Sequence, residues 1–213
     1  VETLRGEGHR GLIHTAAASN LGQMLVRITA DDGIPLINIV RNADQVALLR
    51  GLGAKHVLDS TTPNFADDLA DAIEATGATL AFDAIGGGPL ATTILHAMEV
   101  ALARSATAYS NYGSDQLKQV YIYGHLDVRP TVLNRNFGMA WGVGGFLLMP
   151  FLQKIGPEAT ARLHRRVADE LTTTFASHYS DEITLADVLQ PELIADYRQR
   201  ATGKKVLVIP NLA

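Results

Sequence analysis

Apolar residues along this chain come in short solid runs separated by segments of helical spacing. Gly11 to Ala18 is the first run and reads as a buried strand. Asn20 then opens a segment that sets Leu21, Met24, Leu25 and Ile28 on one helical face, stopped by Gly33 and Pro35. Leu36 to Val40 is a second strand rich in branched residues. Ala43 to Arg50 predicts a helix closed by Gly51 and Gly53, and Lys55 to Asp59 a short third strand. Phe65, Leu69 and Ile73 form a helical stripe ending near Gly77, followed by a fourth strand at Thr79 to Asp83 that Gly86, Gly87 and Gly88 close. Ile94, Leu95, Met98 and Leu102 mark another helix, and Lys118 to Tyr123 a fifth strand ended by Gly124.

Such alternation predicts an α/β fold, a doubly wound parallel sheet with flanking helices, because parallel strands need crossover connections. Strands covered on both faces are apolar throughout rather than alternating, as these are. Beyond Gly124 the pattern blurs. Met139 to Phe151 is apolar and glycine-rich, and Leu163, Val167 and Leu171 predict a helix. Thr184 and Asp187 suit a capping box. Pro191 fits the first turn of a helix through Tyr197 with Gly203 past its end, and Lys205 to Pro210 reads as a last strand.

Composition narrows the function classes. The 213 residues are 47% hydrophobic and 19% charged with a net charge of -4, which suits a globular protein and argues against a nucleic-acid or membrane partner. With no cysteine there is no disulfide and no thiolate metal site, and the seven histidines lack metal-ligand spacing, so no metal is expected within the chain. No apolar run is long enough to span a bilayer and no signal peptide is visible, which points to the cytoplasm. The first residue is Val1, close to a buried-type strand, which suggests a piece of a longer protein.

The chemistry is expected at the first strand–turn–helix, where free N–H groups and the helix dipole favour an anion. Ala17, Ser19 and Gly22 stand at the three glycine spacings of a dinucleotide phosphate loop, with Asn20 and Leu21 opening the helix. Small residues let backbone approach a pyrophosphate; the same residues also make a plain tight turn. The second strand ends Val40-Arg41-Asn42, with no acid at its tip. A guanidinium there suits a 2′-phosphate and favours NADP(H) over NAD(H), although a solvated surface arginine fits equally. His14, His125 and Asp127 are read as structural. Tyr109 and Tyr112 lack the lysine spacing of a reductase pair, and no serine sits in a nucleophile elbow.

With these residues in place the chain resembles the medium-chain dehydrogenase/reductase superfamily, which includes zinc-type alcohol dehydrogenases, quinone oxidoreductases and enoyl reductases. The resemblance rests on Leu12 to Gly22, Ala47 to Val57, Ala81 to Gly87 and Ala201 to Pro210, in that order and spacing. It implies a Rossmann-type cofactor domain at residues 1–176 and, at 177–213, a tail returning to an absent N-terminal GroES-like domain. That domain would hold the catalytic residues and any zinc, leaving the isolated chain inactive. The implied activity is hydride transfer between NADP(H) and a small-molecule carbonyl, alcohol or activated alkene. Gly86 and Gly87 are implied at the mouth of the fourth strand, and Tyr123, Gly124 and His125 along the nicotinamide side of the cleft. Phe137 to Gly145 corresponds to an edge strand joining two subunits of a homodimer; a buried strand or hairpin is its other reading. Two rival functions share the fold: a dinucleotide-binding module or sensor without catalysis, and a methyltransferase, which Arg41 argues against.

Overall fold

The computed structural model describes residues 1–177, 179–199, 202 and 205–210, without the side chains of 196–199. His178, Gly203 and part of the Ala201 to Pro210 stretch therefore lie outside the described residues. The chain divides into two compact units, residues 1–165 and 166–213.

In the first unit a short helix α1 (Glu2–Glu7) precedes β1 (Gly11–His14), α2 (Asn20–Asp31), β2 (Leu36–Val40), α3 (Ala43–Gly51) and β3 (His56–Asp59). The chain continues through α4 (Phe65–Thr76), β4 (Ala78–Asp83), α5 (Leu90–Arg104), β5 (Lys118–Ile122) and β6 (Trp141–Gly145) to α6 (Leu148–Asp169). The six strands form one parallel sheet in the order β3-β2-β1-β4-β5-β6. This is the doubly wound order of dinucleotide folds, in which the chain reverses direction across the sheet between β1 and β4.

Alternation along the strands divides the core between the two faces. Leu12, Leu36 and Leu80 are buried on one face with Leu4, Val26 and Leu49 from α1, α2 and α3. Ile13, Ile37, Ala81 and Val120 face the other way, onto Leu69 and Ile73 of α4 and Ile94, Leu95 and Met98 of α5. Each such fully buried branched side chain contributes about 1.5–3 kcal/mol. Coverage thins toward one edge: β1 and β2 are buried throughout, whereas no residue of β6 is.

Several expectations shift. The strand predicted at Gly11 to Ala18 stops at His14, because Thr15 to Ala18 turn into α2. Glu2–Glu7, too short and polar to show helical spacing, is helical and is stopped by Gly8 at φ 75°. The Met139 to Phe151 stretch is two elements, β6 and the start of α6. α6 breaks at Gly156 (φ 82°), before Pro157, and ends before Leu171. The Phe137 to Gly145 region is thus the last strand of the sheet rather than a hairpin.

The second unit pairs β7 (Asp181–Thr184) in parallel with β8 (Val206–Ile209), linked through α7 (Pro191–Gln199). β7 is charged and short and goes unpredicted. The Thr184–Asp187 box forms reciprocally: the Thr184 N–H donates to the Asp187 carboxylate at 3.0 Å and the Asp187 N–H to Thr184 Oγ1 at 3.3 Å. What it caps is a 3-10 turn, Asp187–Leu189, rather than an α-helix.

Candidate functional site

In a doubly wound sheet the loops at the carboxyl ends of the strands carry the site, above all where the chain reverses. Here that place lies between His14 and Asp83, the last residues of β1 and β4. A buried polar lock joins the two. The Thr15 hydroxyl donates to Asp83 at 2.7 Å and accepts from the Ala84 N–H at 2.8 Å. Asp83, fully buried, also accepts from the N–H groups of Ile85 and Gly86 at 2.9 and 3.1 Å. A buried carboxylate is tolerated when its lone pairs are filled, as these are. Sequence reading missed this pair, although the aspartate closes a recognised strand and the threonine follows one.

The turn above β1 is tight. Ala16 adopts φ 49°, a left-handed conformation that costs a residue with a Cβ. The Ala17 N–H donates to Ile39 of β2 at 3.2 Å, which ties the loop to the next strand, and Ala17 has no exposed surface. Ser19 caps α2 by accepting from the Gly22 N–H at 3.2 Å. A Cβ on Gly22 would lie 2.0 Å from the Ala17 carbonyl oxygen, so only glycine lets α2 start so close to the loop. Asn20 and Leu21 are exposed, and no group among the described residues accepts from their N–H groups. Two donors at a helix start, aimed away from the sheet, suit an anion.

At the tip of β2, Arg41 is exposed; its N–H donates to Gln45 at 3.1 Å, and no acid among the described residues pairs with its guanidinium. Asn42 has a different task from the one expected. Its side chain accepts from the Gln45 N–H at 2.9 Å as the cap of α3.

Beyond β4 and β5 two loops run side by side. Leu126 and Asp127 donate to Ala84 and Ile85, and Gly88 donates to Pro130. Gly86 and Gly87 are buried beneath this second loop. A Cβ on Gly87 would lie 2.5 Å from the carbonyl oxygens of both Asp127 and Arg129, and one on Gly124 would lie 2.4 Å from that of Ala84. These glycines let two backbones touch, which gives them a packing role at the expected position.

Tyr123, Gly124 and His125 line an open depression of about 560 Å³ with Ile122, Gly145, Phe146 and Leu147, at the carboxyl ends of β5 and β6. His125 is exposed there. The Asp127 carboxyl, gripped by hydrogen bonds from Arg129, is held down at about 2. Tyr123 reaches back to the reversal point: its hydroxyl lies 2.7 Å from His14 Nε2, the rings nearly parallel. Burial lowers His14 to about 4, so it is neutral at pH 7. Burial, and then the charge of Asp83, raises the Tyr123 phenol to about 12. The structure therefore gathers the predicted residues into two places: Ala17 to Gly22 with Arg41 over β1 and β2, and Tyr123 to His125 over β5. Among the described residues no group of three acidic or histidine side chains is placed to hold a metal. Nor does any described helix have the length and apolarity to cross a membrane.

No protein-family model and no curated protein sequence matches the chain. Solved structures do. A protein assigned as an NADPH:quinone reductase from Mesorhizobium loti is 24% identical, with a TM-score of 0.76 over 98% of this chain and 56% of its own. A second assigned quinone reductase, from Bacillus thuringiensis, is 18% identical, with a TM-score of 0.64 over 93% of this chain and 55% of its own. The mitochondrial 2-enoyl thioester reductase of Candida tropicalis is 21% identical, with a TM-score of 0.61 over 94% of this chain and 54% of its own. The chain thus spans about half the length of the structures it matches, and over that half it has the fold of quinone and enoyl reductases of the medium-chain dehydrogenase/reductase superfamily.

Proposed function

We propose that this chain is the NADP(H)-binding part of an oxidoreductase of the medium-chain type. Residues 1–176 would form the cofactor domain and 177–213 a segment returning to an upstream domain that holds the substrate and any zinc. The observation that carries the reading is the loop over β1, where the N–H groups of Asn20 and Leu21 lie at the chain reversal with no acceptor among the described residues. Structures of similar fold include a complex with NADP and crotonyl-CoA, 19% identical to this chain.

The residues present fit the group. Asn20 and Leu21 would donate to the pyrophosphate, and Gly22 keeps the backbone close enough to do so. Arg41, without an acid partner among the described residues, would hold the 2′-phosphate by charge-assisted bonds. The nicotinamide half would lie over β4 to β6, beside Tyr123 and His125, because each half of a doubly wound sheet takes one nucleotide. When bound, the dinucleotide supplies the hydride for a carbonyl or activated alkene. The chain's own part is to bind and orient it. β6 is the last strand in the order of the sheet, and a second copy pairing there would form a two-fold dimer.

Fluorescence titration of the chain with NADPH and NADH at two salt concentrations tests the reading. NADPH is expected to bind at least tenfold tighter, and Arg41→Ala to remove most of that difference, a charge-assisted contact being worth about 1.5–3 kcal/mol. Equal binding of both dinucleotides by the unsubstituted chain would sink the clamp. No binding of either at millimolar concentration would sink the cofactor reading for the isolated chain.

A further inference from the structure

Two buried polar atoms lack a partner close to the candidate site. They are His14 Nδ1 and Asn38 Oδ1, on side chains each 1% exposed. The two residues are register partners on the neighbouring parallel strands β1 and β2. Residues paired in this way present their side chains on the same face of a sheet. The Asn38 amide is oriented by its other end, since Nδ2 donates to the His56 carbonyl at 3.2 Å, which leaves Oδ1 as an acceptor.

The proton count for this pair decides what Tyr123 offers a ligand. A neutral imidazole has one N–H and one bare nitrogen. With the proton on Nε2, both Nδ1 and Asn38 Oδ1 are buried acceptors side by side with no donor between them. With the proton on Nδ1, a donor stands beside that acceptor, and the two satisfy each other directly or through one buried water. The second arrangement removes two unmet buried groups, each of which would otherwise bear its full desolvation penalty, and therefore wins. His14 Nε2 is then bare, and the proton in its 2.7 Å contact with Tyr123 must come from the phenol. With that proton committed inward, the Tyr123 oxygen has lone pairs left for the depression that it lines.

We propose that Tyr123 is a hydrogen-bond acceptor for the cofactor, oriented by His14 and Asn38, and that it takes a proton from the carboxamide NH₂ of a nicotinamide lying over β5. This rests on the dinucleotide reading above and adds to it a stated polarity. A donor tyrosine would seek the carboxamide oxygen, whereas an acceptor tyrosine seeks its nitrogen. Tyr123 acts as a binding residue, and His14 and Asn38 as positioning residues that fix the direction of its hydrogen.

Three ligands and one variant separate the possibilities. Titration of the chain with 2′-phospho-ADP-ribose, which lacks the nicotinamide, tests the dinucleotide site alone. Titration with NADP+ and with its 3-acetylpyridine analogue, which keeps the carbonyl and loses the NH₂, tests the polarity. The unsubstituted chain is expected to bind NADP+ about fivefold to tenfold tighter than the analogue, as one neutral hydrogen bond allows. Tyr123→Phe should abolish that ratio and leave 2′-phospho-ADP-ribose binding unchanged. ¹⁵N NMR of the ligand-free chain should show His14 protonated at Nδ1 and bare at Nε2. Equal binding of NADP+ and the analogue by the unsubstituted chain, or a proton found on Nε2, overturns the proposal while the cofactor site stands. Failure of all three ligands to bind overturns the cofactor reading, and this proposal with it.

Discussion

Single residues at the carboxyl ends of β1 and β4 carry the site, and their chemistry can be measured apart from any ligand. Gly22 is the sharpest case. A methyl group there meets the Ala17 carbonyl at 2.0 Å, so Gly22→Ala must push α2 off the loop. The expected loss is about 1–3 kcal/mol in urea denaturation, together with loss of dinucleotide binding. A variant of unchanged stability would show that the helix start is less tightly seated than described. His14 makes a pH prediction, with Tyr123 beside it and the Asp83 carboxylate near that phenol. Its folded pKa is about 4 against 6.5 when exposed. Between those values the unfolded chain binds the extra proton, so the His14 contribution is full above about 6.5 and lost as pH falls toward 4. From pH 7 to pH 5 it should remove about 2 kcal/mol of stability. His14→Gln should lack that part of the slope, and equal slopes for the two proteins would refute the assignment.

At the scale of elements, the approach to the last two strands depends on one buried ion pair. Lys118, the first residue of β5, is fully buried, and its Nζ lies 2.7 Å from Glu99 of α5 and 2.7 Å from the Ser114 hydroxyl. Burial works to raise the Glu99 carboxyl, but hydrogen bonds from Lys118 and Ser114 outweigh it and hold it below its ordinary range. Gly113 (φ 78°) and Gly138 (φ 70°) close over the same carboxylate, where a Cβ would lie 2.6 and 3.0 Å from its oxygens. The cluster thereby ties α5 to the loop before β5 and to the segment leading into β6. Lys118→Met strands Glu99 and is expected to cost about 3–5 kcal/mol. It should also speed hydrogen exchange across residues 105–117. Lys118→Met with Glu99→Met should recover a large part of the loss, because desolvation of two charges offsets most of what the pair contributes. A double variant no better than the single one would show that the pair is worth more than its desolvation.

At the scale of the whole molecule, every buried member of both apolar clusters lies between Leu4 and Phe137. A segment spanning residues 1–165 therefore contains the sheet and the core on both its faces. That segment alone is expected to fold, with a cooperative urea transition and the far-ultraviolet dichroism of a mixed α/β protein. A non-cooperative transition would show that residues beyond 165 are needed to complete the core. The strand order also decides where the expected functional residues meet. Ala17 to Gly22 and Tyr123 to His125 are about a hundred positions apart in the chain, yet β1 and β5 are separated in the sheet by β4 alone.

Solid apolar runs at Leu36–Val40 and Ala78–Asp83, set between helical stripes, were enough to determine a parallel sheet, because strands buried on both faces leave no room for polar alternation. Local signals likewise determined where α2, α3 and α7 begin, since Ser19, Asn42 and Pro191 act on their own nearest residues. Gly22 was legible for the same reason, because its neighbour in space is also its neighbour in sequence. Contacts over long separations were not legible. The Thr15–Asp83 lock, the Lys118–Glu99 pair and the Asn38–His14–Tyr123 row are each built from residues that look ordinary where they stand in the chain. Only the order of strands in the sheet brings them together, and only burial there turns an ordinary lysine or histidine into a group whose partners decide its charge and its protons.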